Sequence, residues 1–370
     1  MIINDDCLTA MREMQDNSID FIVTDPPYGL HFMGKEWDNG IPDESYWSEM
    51  LRILKPGGHL AAMGGSRTFH KLTSKIEESG FEIRDCIMWL YGSGFPKSHN
   101  HFGLTGYGTA LKPAYEPIII AMKPSDGTYK KNVEKWGIGG VNIDASRISG
   151  NWKEILPNKG GRSSGIMGEK TIHPGGECHS NGRWPANIIF DEEAAQMLDE
   201  QSGVGKSSKG KCLAKKNIPL LKEAKGLHTP GRIMEWEGFG DSGGASRFFY
   251  CAKASSKERN KGLEGMELKG SVYSANAKNG EGLRVSDSKI PKQNHHPTVK
   301  PIALMKYIIT LLAPPNNPTL LDPFCGSGST LVAAKELGIN AIGIEREKEY
   351  CEIAEKRISA VETTLFNYGT

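Results

Sequence analysis

LLDPFCGSGSTLVAAKELGINAIGIE, residues 320–345 of a 370-residue chain, has the pattern of a strand, a glycine-rich turn, a helix and a second strand. The first strand ends at Asp322, the turn contains Gly326 and Gly328, and Glu345 ends the second strand. Glycines at such a turn let a ligand approach the backbone, and the spaced acid suits ribose hydroxyls. The stretch predicts a site for a ribose-bearing ligand, with a ligand-free βα turn as the alternative. It lacks the third glycine of a nicotinamide fingerprint and the G-K-[ST] of a P-loop.

Strands and helices alternate at both ends of the chain, which predicts a doubly wound, mostly parallel α/β sheet. Thr298 is the expected cap of the helix that precedes the glycine-rich unit. The predicted strands lie at 18–25, 59–65, 82–92, 115–124, 319–322 and 340–345. The predicted helices lie at 43–58, 66–81, 298–315, 330–338 and 346–363.

The middle of the chain has a different character. Few periodic apolar segments occur there, apart from a strand and helix at 184–203 and a strand at 246–253. The chain therefore divides into three regions: 1–124, an insert at 125–295, and 296–370. The sequence leaves open whether the end of the insert, from about 246, returns to the first region. The insert holds 27 Lys and Arg against 20 Asp and Glu, which indicates a polyanion-binding surface, with an ordinary lysine-rich solvated surface as the alternative. Among the aromatic residues of the insert, Trp184 and residues 248–250 are expected in the core.

Composition limits the remaining classes. The net charge is +1 and hydrophobic residues make up 38%, as in globular proteins. No run of eighteen apolar residues and no basic, apolar leader occurs, so neither a membrane span nor secretion is expected. The seven cysteines contain no C-x-x-C pair, which predicts free thiols in a cytoplasm. No metal site is expected, because His173, Cys178 and His179 have no standard ligand spacing.

A second motif, TDPPYGL at 24–30, follows a buried strand. Asp25 lies at the carboxyl end of that strand, where open α/β sheets bind ligands. Pro26 and Pro27 stiffen the backbone that follows Asp25. The motif thus presents the Asp25 carboxylate, a carbonyl and the Tyr28 ring in a fixed arrangement. Such a group suits an amine on a planar heterocycle, since the two acceptors can take its N–H hydrogens while the ring stacks on its face. A rigid turn that ends the strand is the alternative.

DPPY and FCGSGS together resemble the S-adenosylmethionine-dependent DNA amino-methyltransferases. The order of catalytic motif, basic region and cofactor loop resembles the permuted β group, and several segments are similar to phage- and prophage-borne adenine methylases. DDCL near the start and HPTVKP at 296–301 also match cofactor segments of that family. The resemblance implies a Rossmann-like, seven-stranded, circularly permuted methyltransferase sheet with an inserted, irregular DNA-recognition region.

The resemblance implies roles for the residues that match its motifs. The catalytic residues would be Asp25, Pro26, Pro27 and Tyr28. The cofactor-binding residues would be Asp6, Cys7, Asp25, His296, Thr298, Lys300, Asp322, Phe324, Cys325, Gly326, Ser327, Gly328, Ser329, Glu345 and Arg346. The basic insert supplies the DNA-binding candidates, which are Lys130, Lys131, Arg147, Arg162, Arg183, Lys206, Lys209, Lys211, Lys215 and Lys216.

The implied reaction moves a methyl group from S-adenosylmethionine to the exocyclic N6 amine of an adenine flipped out of duplex DNA. Methylation at cytosine carbon 5 is not expected, because it needs a cysteine nucleophile after a proline and no Pro-Cys dipeptide occurs. Cys325, which departs from many relatives, is therefore interpreted as a packing residue. The alternatives are an N4-cytosine DNA methyltransferase, an RNA methyltransferase and a non-catalytic DNA-binding specificity subunit.

The implied partner is double-stranded DNA in the cytoplasm of a bacterium, with a bacterial or phage-borne gene. The sequence leaves three further matters open: whether the chain forms a homodimer, whether it has a cognate restriction endonuclease, and which sequence it recognises.

Overall fold

The computed structural model describes residues 1–30, 40–94, 105–148, 182–206, 210–213, 233–236, 241–252, 258–266, 269–271, 290–296 and 298–362. The strands in these ranges are β1 (Ile2–Asn4), β2 (Ile19–Thr24), β3 (Leu54–Met63), β4 (Glu82–Leu90), β5 (Tyr115–Met122), β6 (Ile188–Asp191), β7 (Gly205–Lys206), β8 (Gly210–Leu213), β9 (Ile233–Trp236), β10 (Ser242–Gly243), β11 (Tyr250–Ala252), β12 (Lys269–Ser271), β13 (Ile290–Lys292), β14 (Thr319–Asp322) and β15 (Asn340–Glu345). The helices are α1 (Cys7–Arg12), α2 (Glu44–Ile53), α3 (Phe69–Glu78), α4 (Tyr129–Trp136), α5 (Glu192–Ser202), α6 (Ile302–Leu312), α7 (Ser329–Glu336) and α8 (Lys348–Ser359). None of the helices in these described ranges is long and apolar enough to cross a membrane.

The largest sheet in the described part of the chain has nine strands in the order β1-β15-β14-β2-β3-β5-β4-β6-β11. The β1–β15, β15–β14, β14–β2, β2–β3 and β4–β6 pairs are parallel, and β5 is antiparallel to both of its neighbours. The predicted α/β class with a mostly parallel sheet is confirmed. The predicted number of seven strands is too low, because β6 and β11, which the sequence placed in the insert, extend the sheet beyond β4.

Several strand ends meet at one edge of this sheet. β14 pairs with β2 so that Leu321 lies opposite Ile22, and both strands therefore end at the same edge. β15 lies on the other side of β14 and ends there at Glu345. The antiparallel β5 begins at this edge, since Ile118 lies opposite Met63 at the end of β3. The sheet thus gathers the carboxyl ends of parallel strands and the amino end of β5.

Apolar packing fixes these strands beneath their polar ends. Trp47 of α2 is completely buried, and its indole N–H donates to the Pro42 carbonyl (3.1 Å). It belongs to a cluster of buried residues that also contains Leu60, Leu321 and Ile344 from three strands of the sheet. Burial of each such side chain contributes about 1.5–3 kcal/mol, so apolar packing and not the polar groups fixes the positions of these strands.

All five predicted helices are shorter in the structure, and for two of them the backbone shows the cause. α2 ends at Ile53, and Leu54 is already extended and begins β3. α6 begins at Ile302, because Pro301 disfavours the helical region for the residue before it. Thr298 is therefore not the cap of this helix. The residues before Pro301 stay outside the helix and line a cavity at the sheet edge.

The chain divides into two compact units. The first unit contains Met1–Ser146, Ala186–Ala194 and Cys251–Thr370, and the second contains Arg147–Pro185 and Ala195–Tyr250. The second unit thus takes up only the central part of the predicted insert. The first and last parts of that insert, 125–146 and 251–295, belong to the first unit together with the large sheet.

Candidate active site

A cavity of about 350 Å³ lies at the carboxyl ends of β2, β14 and β15, and its lining residues all belong to the first unit. The predicted cofactor residues that line it are Asp6, Cys7, Asp25, His296, Thr298, Lys300, Asp322, Phe324, Cys325, Gly326, Ser327, Ser329, Glu345 and Arg346. Gly328 is the exception. It packs against α8, where a Cβ would come 2.8 Å from the Cβ of Ala354. The fold therefore brings the beginning and the end of the chain together around one cavity.

The glycine-rich turn holds the acid at the end of β15. The Gly326 amide donates to Glu345 Oε2 (2.9 Å), and the Glu347 amide donates to Glu345 Oε1 (2.7 Å). Burial raises the pKa of Glu345. A Cβ on Gly326 would lie 2.7 Å from His296 Nε2, so only glycine leaves room for that ring. Burial also lowers the pKa of His296 to about 3, which keeps the imidazole neutral.

Two tyrosines that line the cavity were not predicted from the sequence. Tyr46 of α2 lies 6.1 Å from Phe324 between ring centroids, and Tyr350 of α8 meets His296 edge-on at 4.6 Å. Both come from helices whose pattern indicates only an apolar face, so no local signal identifies them. They give the cavity aromatic walls beside its acidic groups.

Asp322 joins the ends of β14 and β2. Its Oδ1 accepts from the Thr24 hydroxyl (2.8 Å) and from the Phe324 amide (3.2 Å), and the side chain is buried. Burial raises the pKa of Asp322 to about 7. Asp322 lines the cavity, but its hydrogen bond with Thr24 makes it chiefly a connection between β14 and β2.

The cavity thiols are poor nucleophiles. Burial raises the pKa of Cys7 to about 12, and it raises the pKa of Cys325 well above its ordinary value. Neither thiol forms a disulfide. Because the thiolate is the reactive form, a raised pKa disfavours either thiol as a nucleophile.

The DPPY motif lies at the edge of the cavity, where Pro26 is buried and Pro27 contributes to the lining. The Tyr28 hydroxyl donates to Asp25 Oδ1 (2.8 Å), and the Lys300 ammonium donates to Asp25 Oδ2 (2.6 Å). Burial and the neighbouring carboxylates raise the pKa of Tyr28 well above its usual value, so the phenol stays protonated. Lys300, predicted as a cofactor residue, thus contacts the catalytic motif as well as the cavity.

Glu116 is a further member of this group that sequence reasoning missed. Its Oε2 lies 3.4 Å from Lys300 Nζ and 3.2 Å from the Tyr28 hydroxyl. Burial alone lowers the pKa of Lys300, but the carboxylates of Asp25 and Glu116 outweigh burial and raise it. Glu116 reaches the site because β5 runs antiparallel and starts at the edge where β2 ends. An acid before Pro117 at the start of an apolar strand was the only available signal.

A second aromatic group lies near this cluster. Burial, and next the charge of Glu116, raise the pKa of Tyr91 to about 12. The Tyr91 ring lies 5.4 Å from that of Trp89, between centroids. Since β4 is antiparallel to β5, its last residues reach the same edge as Glu116. Aromatic rings from both DPPY and the end of β4 therefore lie near Glu116.

The structure places the DNA-binding candidates in different settings. Lys130 and Lys131 are exposed on α4 in the first unit, and Lys206 is exposed on β7 in the second. Arg183 is buried and pairs with Asp241 (2.7 Å). Of Lys211 only the backbone in β8 is described. Arg162, Lys209, Lys215 and Lys216, and also His173, Cys178 and His179, lie outside the described residues.

The aromatic residues of the second unit differ from expectation. Trp184 is 66% exposed, so its predicted place in the core is wrong. The Arg147 guanidinium lies 5.4 Å from its ring centroid and donates to the Gly182 carbonyl (3.2 Å). Phe248, which was also expected in the core, is exposed, and the guanidinium groups of Arg183 (4.4 Å) and Arg247 (4.2 Å) lie near its ring centroid. The flat ring of Trp184 is thus exposed to solvent beside the positive charge of Arg147.

A family model described as DNA methylase, for N6 and N4 methyltransferases, matches residues 19–356. The chain belongs to this DNA methylase family. The match includes both DPPY and the glycine-rich turn, which are the two motifs that the structure brings to one sheet edge.

Individual relatives of this chain align over short segments. A stretch of 79 residues is 43% identical to the type II methyltransferase M.HinfI of Haemophilus influenzae and covers 21% of each chain. A stretch of 69 residues is 51% identical to M2.DpnII of Streptococcus pneumoniae and covers 19% of this chain and 25% of that one. The chain thus spans a quarter or less of these curated relatives.

Among solved structures, the cytosine-N4-specific PvuII DNA methyltransferase is 15% identical to this chain, with a TM-score of 0.48. The superposition covers all of this chain and 87% of that one. A likeness this distant carries no argument about the target base.

Proposed function

We propose that the protein is an S-adenosylmethionine-dependent DNA methyltransferase that methylates the N6 amine of an adenine in duplex DNA. The observation that carries the proposal is the position of Asp25. Its carboxylate lines the cavity and also bonds to Tyr28 of DPPY. A base amine held at Asp25 is therefore adjacent to whatever the cavity binds, as direct transfer between two ligands requires.

The cavity residues suit this cofactor. Glu345, held by two backbone amides, retains lone pairs for ribose hydroxyls, and the turn at Gly326 lines the cavity beside it. Asp5, Asp6 and Asp43 add to an acidic lining, which stabilises a cationic ligand. When bound, S-adenosylmethionine supplies a methyl group on a positively charged sulfur.

The acceptor residues act on the amine of the target base. That amine is a poor nucleophile because its lone pair is delocalised into the ring. Asp25 and the Pro26 carbonyl can accept its two N–H hydrogens and stabilise the positive charge that develops on nitrogen. Stacking on Tyr28, worth about 1–3 kcal/mol, offsets part of the few kcal/mol that flipping a base out of a duplex costs.

Adenine is favoured over cytosine because Asp in DPPY is the commoner adenine form in the family that the sequence resembles. N4-cytosine methylation is the principal alternative. The motif order, with DPPY preceding the cofactor loop, supports the permuted β-group arrangement. The match to a DNA methylase family favours DNA over RNA, and the intact pair of motifs favours an enzyme over a non-catalytic subunit.

We propose DNA contacts on each of the two units separately, through exposed lysines on the first and a stacking aromatic on the second. Lys130 and Lys131 suit phosphate contacts from the first unit, and Arg147 with Trp184 suits phosphate and base contact from the second. The buried ion pair of Arg183 with Asp241 favours a structural role for that arginine. We include in the proposal a homodimer, an endonuclease partner and a bacterial cytoplasm. Measuring the size of the purified protein tests the homodimer.

The proposal is tested with labelled S-adenosylmethionine and duplex DNA, with RNA offered in a parallel reaction, followed by identification of the modified nucleoside. We expect N6-methyladenine; N4-methylcytosine alone would overturn the choice of base, and label in RNA only would overturn DNA.

Replacement of the acceptor carboxylate gives a second test. Asp25→Ala should lower methyl transfer at least about 100-fold, because the amine loses an acceptor that acts on the developing charge. Cofactor affinity, measured by calorimetry, should stay within about threefold. Asp16→Ala, which removes an exposed carboxylate elsewhere, is the control. Retained transfer in Asp25→Ala would refute the assigned role.

A further inference from the structure

The Lys300 ammonium occupies the position on Asp25 that the proposed reaction needs for the amine of the base. It donates to Asp25 Oδ2 at 2.6 Å, while Oδ1 accepts from Tyr28. Both oxygens of the carboxylate are therefore engaged by side chains of the protein. A base amine is also an N–H donor, so it competes directly with the ammonium for the same acceptor.

A second acceptor for the ammonium lies beside the first. Glu116 Oε2 is 3.4 Å from Lys300 Nζ, against 2.6 Å for Asp25, and the Tyr28 hydroxyl oxygen is 3.2 Å away. An ammonium has three N–H donors on a flexible stem, so it can move from one carboxylate to the other without leaving the site. The Lys300 side chain is only 9% exposed, which makes any position without a carboxylate partner costly.

The charges favour such an exchange. Two carboxylates and one ammonium leave the cluster with one net negative charge. When Lys300 moves to Glu116, that charge remains on Asp25, where the nitrogen of the base gains positive charge during methyl transfer. Without Glu116, release of Asp25 would leave the ammonium buried and unpaired.

We propose that Glu116 is a positioning residue of the acceptor site, which takes the Lys300 ammonium when the amine of the target base replaces it on Asp25. This inference rests on the proposed methyltransferase function. It goes beyond that function in assigning Lys300 and Glu116 to the admission of the base. The exchange takes place after DNA and cofactor have bound. It should therefore affect the rate of methyl transfer within the assembled complex.

The test uses Glu116→Gln, which keeps the size of the side chain and an acceptor oxygen but removes the charge. The single-turnover rate of methyl transfer is measured at saturating labelled S-adenosylmethionine and duplex, after modified-base sequencing has identified the recognised sequence. We expect the rate to fall about tenfold, while the dissociation constants for cofactor and duplex stay within about twofold. Glu116→Asp, which keeps the charge, should restore most of the rate.

A double-mutant cycle separates this role from a structural one. In a Lys300→Met background there is no ammonium to relocate, so adding Glu116→Gln should change the transfer rate less than twofold. Glu82→Gln, which removes an exposed glutamate on β4, is the matched control and should transfer at the normal rate. Thermal melting and cofactor titration establish that each variant is folded, and the Gln and Asp variants of Glu116 decide the matter even if Lys300→Met does not fold.

Two outcomes would overturn the inference: a normal rate in Glu116→Gln, or the same loss in both backgrounds. If Asp25→Ala is inactive while Glu116→Gln is normal, the inference fails and the methyltransferase proposal stands. If the unmodified protein methylates no DNA under any condition, the proposed function itself fails.

Discussion

Gly326 has a backbone conformation on which several parts of the cavity depend. Its φ is 50°, in the left-handed region that favours glycine, and its amide binds Glu345. The missing side chain leaves space for His296, whose ring meets Tyr350 edge-on. One residue thus positions the acid that suits a ribose and one aromatic wall.

Gly326→Ala should weaken S-adenosylmethionine binding about tenfold or more. A Cβ would displace His296, and a non-glycine residue in the left-handed region costs about 1–3 kcal/mol, where about 1.4 kcal/mol corresponds to tenfold. Calorimetric titration with the cofactor measures the effect. Gly265→Ala is the control, because Gly265 also has a positive φ (85°) but open space around its Cα. Unchanged affinity in Gly326→Ala would show that the turn does not position the ligand.

At the scale of elements, a buried carboxyl group links two neighbouring strands. Asp322 at the end of β14 accepts from Thr24 at the end of β2, and both side chains are buried. Burial disfavours the charged form, so the pKa of Asp322 rises to about 7, above its unfolded value of about 3.9. Between these two values the folded state keeps a proton that the unfolded chain releases. Stability from this group is therefore present at low pH and lost as pH rises toward 7.

Asp322→Asn should remove this pH dependence. The amide oxygen can still accept from Thr24 and Phe324, but the group no longer titrates. Over the window from about pH 4 to about pH 7, the free energy of unfolding of the unmodified protein should fall relative to the variant, by at most about 1.4 kcal/mol per pH unit. Urea denaturation at a series of pH values measures the difference. The buried His59 and His296, whose pKa values burial lowers to about 4 and about 3, act in the opposite direction but are common to both proteins. A difference that does not vary with pH would contradict the interpretation.

At the scale of the whole molecule, two units divide the chain. All residues that line the cavity belong to the first unit, whereas Trp184 and Arg147 belong to the second. The basic excess of the predicted insert points to DNA as the ligand of the exposed tryptophan. Cofactor binding and this part of DNA binding should therefore respond to different substitutions.

Trp184→Ala should weaken duplex binding about tenfold, since an aromatic platform for one base contributes about 1–3 kcal/mol. Cofactor affinity should not change. Fluorescence anisotropy of a labelled duplex at fixed salt gives the first value, and calorimetry gives the second. Met197→Ala, which removes an exposed apolar residue of the same unit, is the control and should bind normally. Equal DNA affinity in the two variants would remove Trp184 from the proposed DNA contacts.

Local pattern was enough to predict the α/β class, most of the strands and the segments that surround the cavity. Strand and helix periods, the glycine turn and DPPY are properties of neighbouring residues, so they are legible in the chain alone. The number of strands was underestimated, because the pairing of Ile188–Asp191 with β4 depends on a partner about a hundred residues away. Trp184 was misplaced for the same reason, since exposure depends on what packs nearby.

The sequence by itself determined which chemical groups this protein has: an acid after a strand, a stiff aromatic turn and a glycine-rich loop. Only the tertiary structure decided how they combine. Lys300 and Glu116 are remote in sequence from Asp25, and neither lies in a pattern that indicates an ion pair with it. They meet because parallel strands end, and the antiparallel β5 begins, at one edge of the sheet. Strand order is a global property of packing, and no local spacing encodes it.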